Sequence, residues 1–256
     1  MSDETTDARP MQVRVADDLR NEIRRGDLAP GDKLPTLAVI AQRYSVSEMV
    51  ARRAVDLLRQ EGSVISRRGS GSYVREAISV RRYGIERYSR KVWGGKNPQA
   101  ILKAEGASQG KDVGQTSGTD QVPAPAFVAE RLPDVEEGDL VYVRRRVTTL
   151  DGVINQSADS YFSLTTGERS PAIVAGEGPG GHIARINALS PVLEIQEEIT
   201  TRMPGGPEAA RLEIPQGTPV FSVIRTYHCE EGPLDVTLFV IRGDMAGFDY
   251  RFPVPD

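Results

Sequence analysis

The chain has few of the residues that do covalent or metal chemistry. Its one cysteine, Cys229, can form no intramolecular disulfide and belongs to no cluster able to hold zinc. Its two histidines, His182 and His228, fall in no HExxH arrangement. A triad of Ser157, Asp159 and His182 can be written down, but no spacing brings the three together. The glycine-rich run from Gly176 to Gly181 has no lysine, so a phosphate-cradling P-loop is not expected there. No apolar run approaches the ~18 residues of a membrane span, and the opening MSDETTDARP is polar and acidic, unlike a signal peptide. We therefore expect no catalytic residue, no metal, no cofactor, no membrane partner and a cytoplasmic location.

What is present is an uneven distribution of charge. The 256 residues suffice for one large domain or two ordinary ones, and a 39% apolar fraction can fill packed cores. The formal net charge of −4 argues against a protein coated in basic surface. However, residues 9–75 carry 13 basic and 8 acidic side chains, whereas residues 76–256 carry 19 basic and 25 acidic. A basic head on an acidic body is the pattern of a DNA contact module attached to something else.

Local signals divide the head into elements. Val13, Val15, Ala16, Leu19 and Ile23 recur at helical spacing and predict a first helix ending near Gly26. Pro30-Gly31 forms a turn, and Thr36 is a candidate N-cap for a second helix that uses Leu37, Ile40 and Ala41 and stops by Tyr44. Ser47 can cap a third helix running to about Glu61, with Val50, Ala51, Ala54, Val55 and Leu58 inward and Arg52, Arg53 and Arg59 outward. Two short strands follow around a turn of Arg67, Arg68, Gly69, Ser70 and Gly71. Helix, tight turn, helix and a basic hairpin place one helix and one wing on DNA. The same order also fills small domains that never meet DNA, but local charge and capping favour the DNA reading.

This block resembles the winged helix-turn-helix of the GntR family of bacterial transcription regulators. The resemblance rests on Gly26, Pro30 to Pro35, Val46-Ser47, Arg52, Ala54, Leu58, Glu61-Gly62 and Gly69 to Val74. It implies DNA contact by Lys33, Thr36, Ser47, Glu48, Met49, Arg52, Arg53, Arg67, Arg68, Gly69, Ser70 and Gly71. Three positions depart from the family pattern: Ala38 and Glu48 stand where arginine is usual, and Val50 where threonine is usual. A glutamate repels phosphate but accepts a hydrogen bond from cytosine N4, so Glu48 points to a changed operator sequence.

Beyond the head, the charged stretch from Glu76 to Arg90 reads as a linker or crossing segment, and Gln109 to Pro125 as an exposed loop. A repeated grammar follows. Short helix, turn and strand at 129–146, with an Asp151-Gly152 turn and a return strand ending at Tyr161-Phe162, are echoed at 209–225 by a Glu231-Gly232 turn and a return strand at 236–241. Strand 194–203 and a short helix at 183–186 complete the pattern. Two such halves predict duplicated α+β units sharing an antiparallel sheet.

This half resembles the UTRA effector-binding domain of the HutC branch of the GntR family. The matching residues include Glu137 to Asp139, Val143 to Arg146, Ser160 to Phe162, Gly180-Gly181, Arg202 to Pro204, Gly217 to Val220 and Arg225-Thr226. The resemblance implies a fold like chorismate lyase without its activity, and an effector site drawing on Arg144, Arg146, Ser160, Tyr161, Arg225, Tyr227 and Asp235. The same residues would also serve as alternating polar positions on ordinary strands. Asp235 stands where the family often carries glutamate, one methylene longer.

The expected organisation is α+β: a winged helix-turn-helix over residues 9–76, a linker over 77–95, and a UTRA effector-binding and dimerisation domain over 96–256. The expected function is a homodimeric repressor that binds a double-stranded, inverted-repeat DNA operator under control of a small cytoplasmic metabolite. The alternative is a nonenzymatic ligand-binding or scaffold protein that has lost specific DNA recognition.

Overall fold

The structure, a computed structural model, describes residues 9–67, 69–75, 80–96, 100–176, 179–214 and 217–254. These divide into two compact units, a head centred on residues 9–75 and a body made of most of the remainder.

In the head, α1 (Met11–Arg25) ends where Gly26 takes a left-handed conformation at φ 83°, which only glycine adopts at little cost. Helix α2 (Leu37–Arg43) starts at Thr36, whose side chain accepts a hydrogen bond from the Val39 amide. Helix α3 (Glu48–Gln60) starts the same way, with Ser47 accepting from Val50. Each cap satisfies a backbone donor that has no partner inside its helix. Strands β1 (Val64–Arg67) and β2 (Gly71–Val74) pair antiparallel as the wing.

Val15, Leu19, Ile40, Ala51, Ala54, Val55, Leu58, Val64 and Val74 form one core. Burying each larger aliphatic contributes ~1.5–3 kcal/mol. Arg43 reaches the buried Glu22, and Arg20 forks onto Glu61 at 2.9 and 2.7 Å, tying α1 to α2 and α3. Glu22 and Glu61 are thus occupied within the head, which leaves positive charge in excess elsewhere.

The body opens with β3 (Val80–Tyr83), a turn of 3-10 helix (Glu86–Tyr88), α4 (Arg90–Trp93) and α5 (Ile101–Ser108). Then come β4 (Val113–Pro123), α6 (Ala126–Ala129), β5 (Leu140–Leu150), β6 (Val153–Ser163), α7 (Leu164–Arg169), α8 (Pro171–Ala175) and α9 (Gly181–Leu189). The chain finishes with β7 (Val192–Arg202), α10 (Gly206–Arg211), β8 (Val220–Cys229), β9 (Gly232–Arg242) and β10 (Ala246–Asp249).

Six strands form an antiparallel sheet in the order β4-β5-β6-β9-β8-β7. Read inward from either edge, the two halves run through three consecutive strands, so the duplicated grammar in the sequence becomes a quasi-twofold sheet. Strand β3 pairs in parallel with β10 in a separate ribbon.

Two expectations are corrected. Residues 80–95 are not a linker but part of the body, because Arg82 and Arg87 are buried there. Their charge, which imitates a solvated segment, belongs to an internal ion network. Residues 113–123 are not a loop but the edge strand β4, paired along its length with β5. An edge strand has one neighbour and, in this case, mostly exposed side chains, so its polar, glycine-containing composition is tolerated. No helix among the described residues is long and apolar enough to cross a membrane.

Candidate DNA-reading face and effector cavity

On the head, α2, α3 and the wing enclose an open groove of about 610 Å³. Lys33, Thr36, Arg52, Gly69, Ser70 and Gly71 all line it, so six of the residues expected at DNA meet at one surface. Lys33 joins the wing by a backbone bridge to Tyr73, and its side chain passes Gly71, where a Cβ would lie 3.1 Å from Lys33 Cε. Asp56, also in the groove, is held by Arg59 at 2.6 Å. Neither Lys33, Arg52 nor Arg53 has an acidic partner among the described residues.

Ser47, Glu48, Met49 and Arg53 are exposed at the start of α3, with Met49 at 64%. Ser47 and Thr36 spend acceptor capacity on their caps but keep a hydroxyl hydrogen to donate. Arg68 lies outside the described residues, and Arg67 is described only through its backbone pairing with Gly71. Exposed Ala38 contributes no donor, and exposed Glu48 places a carboxylate in the first turn of α3.

The body gathers its chemistry inside. On β5, Arg144 and Arg146 point to one face and Val141 and Val143 to the other. Ser160 on β6, Arg225 and Tyr227 on β8, and Asp235, Thr237 and Phe239 on β9 share the arginines' face. Sheet register brings them together: Arg144 lies opposite Ser160, Ser160 opposite Thr237, Arg225 opposite Thr237 and Tyr227 opposite Asp235.

Tyr161 is the exception among the expected effector residues. One residue past Ser160, it packs on the opposite face with Val141, Val143 and Val236, its ring edge-on to Phe127 at 5.6 Å. The period of two along a strand puts it there.

The buried polar groups form a directed chain. Arg146 donates to Ser160 Oγ at 2.6 Å, and Ser160 Oγ lies 2.7 Å from Thr237 Oγ1. Thr237 also accepts from Arg225 at 3.1 Å and donates to Asp235 at 3.3 Å. His182 Nε2 lies 2.8 Å from Asp235 Oδ2, and Arg144 lies 3.2 Å from His182 Nδ1.

This arrangement settles the histidine's state. Guanidinium can only donate and carboxylate can only accept, so Nδ1 carries the lone pair and Nε2 the proton. Burial drives the His182 pKa down to about 4, against the upward pull of Asp235, in keeping with a neutral ring. Burial likewise lowers Arg144 to about 10 and Arg146 to about 9, with neighbouring arginines adding to the effect. Asp235 stays below the usual carboxylate range, because His182 and Arg225 outweigh its burial.

Arg144 lies against Gly176, which has φ 74° and whose position would put a Cβ 2.5 Å from the guanidinium Nε. Any side chain there would displace the arginine.

Of the seven expected effector residues, Arg146, Arg225 and Tyr227 line a cavity of about 70 Å³. Ser160 and Asp235 stand behind it as supports, and Arg144 orients His182. Arg87, Gln156, His182 and Phe239 also line this cavity, and none of them was expected from the sequence as an effector residue. Strand alternation from Asp235 would have pointed to Thr237 and Phe239. For Arg87 no local signal exists, since it lies in the stretch that looks like a linker. At ~30 Å³ per water, the cavity holds a few waters rather than a metabolite, so a larger ligand requires it to open.

Comparison with known proteins decides the family. Residues 11–74 match the model of bacterial regulatory proteins of the gntR family, and residues 114–246 match the UTRA domain. The chain belongs to the GntR family. An HTH-type transcriptional regulator of Streptomyces coelicolor is 29% identical over 255 residues, spanning 96% of this chain and 94% of its own length. A crystal structure of a GntR-family transcriptional regulator matches with TM-score 0.65 and 30% identity, covering 96% of this chain and 99% of that one. PhnF from Mycobacterium smegmatis shares the fold at TM-score 0.56 and 22% identity, over 94% of this chain and 100% of its own.

As a GntR-family protein with a UTRA domain, the chain is a DNA-binding transcriptional regulator with an effector-binding domain. The HutC branch combines the same two parts.

Proposed function

We propose that this GntR regulator is a cytoplasmic, homodimeric repressor that holds an inverted-repeat operator and changes its grip when a small metabolite enters the body's cavity. The observation that carries this reading is one chain that combines an exposed basic groove with a buried polar cavity. The groove supplies Lys33, Thr36, Arg52 and the wing glycines, and the cavity supplies Arg146, Arg225 and Tyr227. First-turn residues of α3 would approach base edges, while Lys33, Arg53 and the wing would meet phosphate. Twofold symmetry of the dimer would match that of the operator.

A repressor role draws support from the head's likeness to the mannosyl-D-glycerate transport/metabolism system repressor MngR of Escherichia coli, 38% identical over 68 residues, or 27% of this chain and 28% of that protein. Control by a metabolite requires that the ligand bind one arrangement of the dimer more tightly than the other.

Selection of bound duplexes from a random pool by the intact chain, at moderate salt, tests the reading. Enrichment of one palindrome is the expected result, with sedimentation giving a dimer. Failure to enrich any sequence would favour a ligand-binding protein that has lost specific recognition, for which Ala38 and Glu48 give the physical reason.

A further inference from the structure

The two helices that carry the head onto DNA begin with apolar side chains left in water. Met49, the second residue of α3, is 64% exposed, and Val39, the third residue of α2, is 50% exposed. Ala38 beside Val39 is exposed as well, and Val50 beside Met49 is half-buried. One exposed apolar residue is ordinary on a protein surface. Here such residues occupy the starts of both helices of the motif, where the family pattern has arginine at 38 and 48 and threonine at 50.

The contents of these first turns limit what they can recognise. The capping hydroxyls of Thr36 and Ser47 apart, residues 37–39 and 48–50 carry no side-chain hydrogen-bond donor. In the major groove guanine shows only acceptors, N7 and O6, so these turns have no side chain to offer it. Arg52 and Arg53, one turn further along α3, remain for guanine or phosphate. Glu48 can accept from an exocyclic amino group, and an apolar side chain matches one feature of the groove, the C5 methyl of a pyrimidine. The caps fix both turns: Thr36 accepts from the Val39 amide and Ser47 from the Val50 amide, each at 3.3 Å. Val39 is stiff at its branched carbon, so its methyls are held in place, whereas unbranched Met49 can adapt its reach.

Resting on the operator-binding reading above, we propose that Met49 and Val39 are specificity-determining residues that read the C5 methyl of a pyrimidine. The methyl lies in the major groove, next to the amino group from which Glu48 accepts. Thymine and 5-methylcytosine both carry this methyl, and 5-methylcytosine carries the amino group on the same base. Contact removes apolar surface of side chain and base from water together, so affinity is gained without a cation. Recognition by the first turns rests on methyl contact and one acceptor, with guanine left to the second turn of α3.

The test uses the intact chain and the duplex it enriches from a random pool, with affinity read by fluorescence anisotropy at fixed salt. Each thymine is replaced in turn by uracil, which removes only the methyl, and each cytosine by 5-methylcytosine, which adds only the methyl. At one thymine or more in each half-site, uracil should weaken binding about fourfold, the worth of one buried methyl group. Met49→Ala or Val39→Ala should abolish the difference between thymine and uracil at the position each reads. Met49→Leu, which keeps the apolar surface, should retain it. Val153→Ala, at an exposed apolar position on the body, should behave like the parent. A response to 5-methylcytosine alone assigns the methyl to modified cytosine.

Melting of each variant shows whether it folds; if one alanine variant does not, the other carries the comparison. Binding unchanged at every thymine and cytosine would overturn the proposal, as would a methyl effect that survives undiminished in the folded alanine variants. A pool that yields no enriched duplex removes specific recognition and the methyl reading together. An enriched palindrome indifferent to methyl groups removes only the methyl reading, whereas a methyl-sensitive site without twofold symmetry removes only the homodimeric repressor.

Discussion

The head and the body use arginine in opposite ways. In the head, Arg52 and Arg53 stand in water on α3, where a guanidinium keeps its hydration until it meets DNA. In the body, Arg144, Arg146 and Arg225 are withdrawn from solvent, and each is held by hydroxyls, a carboxylate or an imidazole. An exposed arginine contributes little to stability and much to salt-dependent binding. A buried one costs stability until its donors are met, so its presence signals either a completed network or a ligand.

That contrast predicts where substitutions hurt. The largest effect should come from Asp235→Ala, which strips the acceptor from His182 and the counter-charge from Arg225. Urea unfolding should show a loss of about 3–5 kcal/mol. Survival of full stability would mean that the buried chain is not a connected unit.

The same network predicts a pH dependence. His182 titrates near 4 in the folded state, well below an unfolded histidine near 6.5. The unfolded state therefore takes up the proton first, and stability should fall as pH drops from about 6.5 toward 4. His182→Gln should flatten this part of the curve. Below it, protonation of Asp235, whose pKa is depressed, removes stability in the same direction.

In the head, Arg52→Ala should leave stability nearly unchanged while costing about 1–3 kcal/mol of operator affinity, read by fluorescence anisotropy. Glu48→Arg should tighten binding to duplexes unrelated to the operator and steepen the dependence on salt by roughly 0.9 in log–log slope for one added phosphate contact. Ser47→Ala removes the α3 cap and should cost about 1 kcal/mol in denaturation. The smallest effect belongs to Tyr161→Phe, which should shift stability by no more than about 0.5 kcal/mol and leave effector binding untouched. A large loss of ligand binding would place Tyr161 at the cavity after all, against the strand's alternation.

The two regions also differ in how far their sequence discloses them. Gly26, Thr36 and Ser47 act within a few residues of themselves, so the head's helix boundaries follow from local chemistry. The body's site depends on partners far apart in sequence: Ser160 meets Thr237, and His182 meets Asp235. The turns and alternating strands point to the duplicated sheet, whereas Arg146 and Arg225 are singled out only by the likeness to the UTRA domain. They give no hint that the charged residues near Arg87 are buried, because a segment's own composition does not reveal what covers it. The polar strand β4 is hidden for the same reason, its pairing with β5 being a long-range fact.

The central claim is that these two chemistries are coupled in one switch. The most direct measurement is the affinity of the intact chain for its selected operator, with and without a small molecule found to bind the body, together with the reciprocal titration of that molecule with and without operator. The account predicts equal factors in both directions, on the order of 5- to 150-fold, and their loss in Arg146→Gln. Operator affinity that stays the same when the body is saturated with that molecule would contradict it.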